Sequence, residues 1–216
     1  MRGGIDQHLL AREGWWVAAV LALLSCAAYI YLSHWLALIF LVLLLPVCFI
    51  LRNPVIKIPA LPLAVVSPAN GRLTNVDTTF DTRLSRDAVR VQIRTGLWDV
   101  HTLRSPVEGK IVNEWSSDCD IPGFNRRYSY WFQTDEGDDV VISLLLGRRS
   151  PFTRMLIRSG ERIGQGEYAG YLYFSGMVEI FMPANARIEA HPGDRMRAGV
   201  DILGVFVHEE GVTGVK

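Results

Sequence analysis

From Trp15 to Leu51 the chain carries no Asp, Glu, Lys or Arg, and Ser33-His34 interrupts this apolar run near its middle. The halves, Trp15–Leu32 and Trp35–Leu51, would each reach roughly 27 Å as helices, close to the thickness of a bilayer core. Trp15, Trp16, Tyr29, Tyr31 and Trp35 lie near the ends of the halves, where interfacial aromatic residues belong. Arg2 and Arg12 precede the run, Arg52 and Lys57 follow it, and the link has no Lys or Arg. The positive-inside rule then predicts a transmembrane helical hairpin with both flanks in the cytoplasm. One long, tilted or re-entrant segment is the alternative. Beyond Arg52 the pattern changes. Pro54, Pro59, Pro62 and Pro68 predict an extended linker. Short β-like runs follow: Val89–Ile93, Lys110–Val112, Tyr128–Gln133, Asp139–Leu146, Gly170–Phe174, Val178–Met182 and Val200–Val207. Ser150–Arg158 is the one stretch that predicts a short helix outside the apolar run. The chain thus divides into an N-terminal cytoplasmic segment (1–14), a membrane hairpin (15–51), a Pro-rich linker (52–66) and a β domain (67–216).

Two motifs repeat within that domain. Ser67-Pro-Ala-Asn-Gly71 returns as Ser105-Pro-Val-Glu-Gly109, and Gly160-Glu-Arg-Ile-Gly-Gln-Gly166 returns as Gly193-Asp-Arg-Met-Arg-Ala-Gly199. Each SPxxG places a turn before a strand, and each G-acid-R-x-x-x-G is a tight hairpin. The paired units resemble the two halves of biotinyl/lipoyl-carrier barrel-sandwich folds. The predicted fold is mainly β, with pseudo-repeats of that kind after the hairpin. No Lys occupies a repeat turn where a carrier would attach its cofactor, so a carrier function is not indicated.

Composition narrows the function. Lys+Arg and Asp+Glu are both 22, giving zero net charge, which argues against a nucleic-acid partner. The mean hydropathy of +0.20 reflects mainly the N-terminal run. The three cysteines, Cys26, Cys48 and Cys119, form neither a disulfide framework nor a zinc motif, and no metal site is expected. P-loop, GxGxxG, HExxH and GxSxG motifs are absent.

The informative stretches are Ser67-Pro-Ala-Asn-Gly71, Trp98-Asp-Val-His-Thr-Leu-Arg-Ser-Pro-Val-Glu-Gly109 and Tyr173-Phe-Ser-Gly-Met-Val-Glu-Ile-Phe-Met-Pro183. In this order, after an apolar hairpin and Arg52-Asn-Pro, they resemble the short, membrane-anchored phosphatidylserine decarboxylases of bacteria and archaea. The resemblance implies a proenzyme in which a serine of a Gly-Ser pair cleaves the chain. The cut leaves a pyruvoyl group that serves as electron sink when the lipid headgroup loses CO₂. It also implies a homodimer and a role for His101 in acid–base chemistry near the substrate carboxylate.

The sequence departs from the family pattern where that chemistry is decided. Without gaps, Tyr173-Phe-Ser-Gly-Met-Val-Glu179 lies against R-F-G-S-R-V-D, so the family's glycine falls on Ser175 and its pyruvoyl-forming serine on Gly176. Glycine has no hydroxyl and no Cβ. Ser175 has both but stands one residue early, and one residue along a strand reverses the face of a side chain. A bulge could restore it. Asn70 occupies the place of the family's processing aspartate, Arg104 matches the short type's DVHVNR, and Asn125-Arg126-Arg127 replaces Asn-Glu-Arg. The resulting expectation is a membrane-anchored homologue that neither self-cleaves nor decarboxylates. It would have no cofactor and would bind phosphatidylserine or another anionic lipid at the inner membrane from the cytoplasmic side. The alternatives are an active decarboxylase with pyruvoyl from Ser175 and a tethered β scaffold without a lipid role. The basic run containing Arg148, Arg149 and Arg154 is the candidate contact to anionic headgroups.

Overall fold

The computed structural model describes residues 15–31, 33–50, 52, 56–58, 61, 63–147, 153–173 and 175–208. The apolar run forms two helices, α1 (Trp15–Tyr31) and α2 (His34–Ile50), of 17 residues each. They break at Ser33, whose hydroxyl accepts the Leu36 N–H at 3.3 Å and so caps α2. The helices lie against each other through Ala28 and Ala37, both buried, and the Ser25 hydroxyl donates to the Ala37 carbonyl at 3.1 Å. At 1.5 Å per residue each helix is about 25 Å long, short of a hydrocarbon core of about 30 Å. Among the described residues no helix is long and apolar enough to cross a membrane. This corrects the predicted transmembrane hairpin: the run is apolar and breaks at Ser33-His34 as expected, but each of its two helices falls short of a span.

The rest is β structure: β1 (Ala64–Val66), β2 (Gly71–Asp81), β3 (Arg86–Thr95), β4 (Thr102–Arg104), β5 (Gly109–Asp118), β6 (Arg126–Gln133), β7 (Asp139–Leu146), β8 (Thr153–Met155), β9 (Arg162–Ile163), β10 (Tyr168–Leu172), β11 (Gly176–Pro183), β12 (Arg187–Ile188), β13 (Arg195–Met196) and β14 (Ile202–Val205). Eight strands form one sheet in the order β13-β2-β3-β11-β7-β6-β5-β9, and two three-stranded sheets, β1-β14-β12 and β4-β10-β8, accompany it. On one face of the large sheet Val91, Ile93, Val178, Ile180, Met182, Ile142, Leu144 and Phe132 build the main core. The other face carries a small apolar cluster of Ala88, Val141 and Phe181. Arg83, in the β2–β3 turn, donates to the Ser117 hydroxyl on β5 at 2.8 Å. Those strands stand toward opposite ends of the sheet order, so the sheet curls. A mainly β fold is therefore observed, but as one curled antiparallel sheet with two small satellites in place of the expected barrel sandwich.

The repeated motifs are equivalent in geometry. In each SPxxG the serine hydroxyl donates to the carbonyl two residues on, Ser67 to Ala69 and Ser105 to Val107, both at 2.7 Å. Each is tied to a G-acid-R hairpin further along the chain. The Gly199 N–H donates to the Ser67 carbonyl at 2.7 Å, and the Gly166 N–H to the Ser105 carbonyl at 2.8 Å. Gly166 and Gly199 have φ of 69° and 71°, a left-handed conformation that favours glycine. The isoleucines Ile58 and Ile56 cover them in turn. The predicted Ser150–Arg158 helix is not found where it can be judged. Thr153–Met155 is strand β8, held to β10 by Gly170↔Met155, Tyr171↔Arg154 and Leu172↔Thr153. Sheet pairing overrides a weak local preference here.

Candidate functional site

Strand pairing gathers the motif positions into one place. Thr95, the last residue of β3, pairs with Gly176, the first of β11. The Thr95 hydroxyl donates to the Asn70 carbonyl at 2.9 Å. The Asn70 amide nitrogen donates to the Val100 carbonyl at 3.1 Å, and its amide oxygen accepts the Ala198 N–H at 3.1 Å. His101 follows directly and is 1% exposed. Its carbonyl accepts the Leu172 N–H at 2.8 Å, and its ring centroid lies 6.0 Å from that of Tyr171. Residues 70, 101 and 176, separated widely in sequence, thus share one neighbourhood.

The two Asn70 bonds suit an amide and not a carboxylate. One partner, Ala198, is a donor and the other, Val100, an acceptor, so the side chain must both accept and donate. An ionised aspartate here would place a carboxylate oxygen against the Val100 carbonyl. The loss of the acid is thereby built into the local hydrogen bonding.

Gly176 is buried between β3 and β7, and a Cβ added to it would lie 3.0 Å from the Leu145 carbonyl oxygen and 3.2–3.3 Å from the Leu172 methyls. A side chain there would need the Leu145 carbonyl and the end of Leu172 to give by a few tenths of an ångström. Ser175 stands just before the strand, is half-buried, and donates its N–H to the Tyr173 carbonyl at 3.0 Å. Both residues border a cavity of about 800 Å³. Its opposite wall is the Ile121–Asn125 loop, which is pinned by the Asn125 N–H on the Leu146 carbonyl at 2.8 Å. Arg94 lines the same cavity and is exposed. Among the described residues, no acid pairs with it.

Sequence reasoning did not single out Thr95, Arg94 or residues 121–124 of the wall, because folding, and not sequence proximity, brings them to Gly176. It also passed over Glu179, whose side chain is fully buried in the sheet. Glu179 accepts from Gln92 at 2.8 Å and has Arg127 at 3.3 Å and Arg90 at 3.6 Å. The signal was available in part, since Arg127 belongs to the altered Asn125-Arg126-Arg127 triplet. Arg154 is exposed on β8 and does not line the cavity. Arg148 and Arg149 lie outside the described residues. Among the described residues there is no cluster of side chains able to hold a metal.

The comparisons with known proteins point to one family. The family model described as phosphatidylserine decarboxylase matches residues 44–204, a stretch that includes all the positions gathered above. The chain belongs to the phosphatidylserine decarboxylase family. A phosphatidylserine decarboxylase proenzyme of Nitrosomonas europaea is 31% identical over 208 residues, covering 92% of this chain and 95% of that protein. Proenzymes of the same name from Burkholderia ambifaria and Aromatoleum aromaticum are each 29% identical, covering 90% and 94% of this chain and 95% and 98% of their own. No solved structure matches. Membership places the protein in phospholipid metabolism. The residues present do not fit the family's pyruvoyl group on the register that the motifs give. Residue 176 has no Cβ from which to make it.

Proposed function

We propose that this protein is a non-processing member of its family that binds an anionic phospholipid without decarboxylating it. The observation that carries the reading is Gly176. It sits at the head of β11, bordering the cavity, with the Leu145 carbonyl and Leu172 within 3.3 Å of where a side chain would begin. The family motif's histidine is present as His101, and Arg94 offers an exposed positive charge at the cavity for a headgroup phosphate. The helix pair supports a location at a membrane surface. Leu23, Ile30 and Leu45 are all more than 60% exposed, and apolar surface of this kind lowers its free energy by entering the headgroup–acyl boundary without spanning it. The cytoplasmic leaflet of the cell membrane, which is negatively charged, is the proposed location.

A second reading has one observation in its favour: Ser175 borders the same cavity and possesses a hydroxyl, so a pyruvoyl group formed one position early would face the same space. Incubation of the purified full chain with phosphatidylserine vesicles separates the two. The expected outcome is sedimentation with the vesicles and no phosphatidylethanolamine. Phosphatidylethanolamine formation that disappears in Ser175→Ala would establish the second reading.

A further inference from the structure

A second cavity, of about 320 Å³, is bordered by Asn70. Its lining includes Arg52, Asn70, Asp99, Arg195 and Arg197. Three guanidinium groups therefore border it against one carboxylate. Asp99 pairs with Arg195 at 3.2 Å, and its other oxygen accepts the Gly96 N–H at 2.8 Å, so its charge is already committed. Arg197 is held by Asp201 at 2.7 Å, outside the lining. Arg52 has no acidic partner among the described residues. Its guanidinium lies 3.8 Å from the Phe49 ring centroid and donates to the Phe49 carbonyl at 3.0 Å, which fixes it at the C-terminal end of α2. The amide at Asn70 matters too. A carboxylate at that position would add a second negative charge to the lining beside Asp99.

Exposed apolar side chains neighbour the lining residues Arg52 and Asp99 in the chain. Phe49 of α2 stands 6.4 Å from the Trp98 ring, and Trp98 and its neighbour Leu97 are 61% and 44% exposed. An exposed tryptophan beside a cluster of arginines, at the foot of an apolar helix pair, is the arrangement expected where a protein meets the boundary between acyl chains and headgroups. The guanidinium fork also suits phosphate oxygens.

We infer that Arg52, Arg195 and Arg197 form a binding site for the phosphate of an anionic membrane phospholipid, separate from the cavity at Gly176, which orients the protein on the bilayer. The inference rests on the membrane-surface part of the proposed function and not on the absence of catalysis. An inorganic phosphate or soluble phosphate ester shares the same chemistry, and the experiment separates the sources. The full chain is sedimented with phosphatidylcholine vesicles with and without phosphatidylglycerol, and inorganic phosphate is titrated calorimetrically.

Arg195→Glu, at a side chain exposed enough to leave the fold intact, should lower affinity for phosphatidylglycerol vesicles about 25-fold, and Arg52→Gln about fivefold. Neither should alter the weaker binding to phosphatidylcholine alone. Arg187→Gln, on β12, should behave as the unaltered protein. If both cavity variants sediment with phosphatidylglycerol vesicles like the unaltered chain, the site is overturned and the membrane-surface reading stands. If the unaltered chain ignores vesicles yet binds inorganic phosphate in a manner that Arg195→Glu abolishes, the lipid assignment is overturned in favour of a soluble phosphate. If it binds neither, the site and the membrane-surface reading both fail.

Discussion

Glu179→Ala should lower the stability of the β domain by about 3–5 kcal/mol, the range for removing one partner of a buried ion pair. The side chain has no exposure and sits between Arg90, Arg127 and Gln92. Arg90 keeps Asp77, which accepts from its guanidinium at 2.7 and 3.1 Å. Arg127 has no such second acid among the described residues, so the cost falls mainly there. For a domain of this size the loss corresponds to a fall in melting temperature on the order of 10 °C. Glu179→Gln keeps the volume and an acceptor, and should cost clearly less. Thermal unfolding followed by circular dichroism reads both. Equal losses for the two substitutions would show that charge, which both remove, and not shape, is what Glu179 contributes.

Gly109→Ala and Gly71→Ala should each destabilise the protein by about 3 kcal/mol, and by similar amounts. A Cβ at Gly109 would fall 2.2 Å from the Gln133 carbonyl oxygen, and one at Gly71 would fall 2.3 Å from that of Arg94. Both obstacles are backbone atoms, so no rotamer change relieves them and a strand must move. Gly109 is the sharper probe because it has no left-handed φ to confound the result. Chemical denaturation of the two variants tests whether the repeated SPxxG units hold equivalent structural places. A neutral Gly109→Ala would mean that β5 and β6 do not approach as closely as described.

Much of the β domain was legible because its buried strands advertise themselves. Asp139–Leu146 is an apolar run with Ser143 alone inside it, bounded by an acid and a glycine, and it is β7 with those bounds, buried on both faces. The SPxxG glycines mark the first residues of β2 and β5, because only glycine lets the backbone of the next strand come so near. Most of β2 escaped notice, since Thr74 to Thr79 are polar or half-exposed and their alternation is weak. The N-terminal run misled in another way. Its break at Ser33-His34 was visible, but hydropathy reports what a segment can be buried in and not whether it is long enough to cross a bilayer, and the two helices have only 17 residues each. At the site, residues 70, 101 and 176 were visible through motif resemblance. Thr95, Arg94 and residues 121–124 of the wall were not, because their proximity arises from the register of β3 against β11 and from the anchoring of one loop to the end of β7.

The altered pair Ser175-Gly176 carries the proposed function, and the mass of the purified chain tests it without reference to any substrate. The prediction is one species with the full mass of 24.2 kDa, because position 176 has no nucleophile and Asn70 cannot act as a base. Two species, one ending at Phe174 and the other running from Ser175 to Lys216 with a pyruvoyl group in place of its amino terminus, would contradict it.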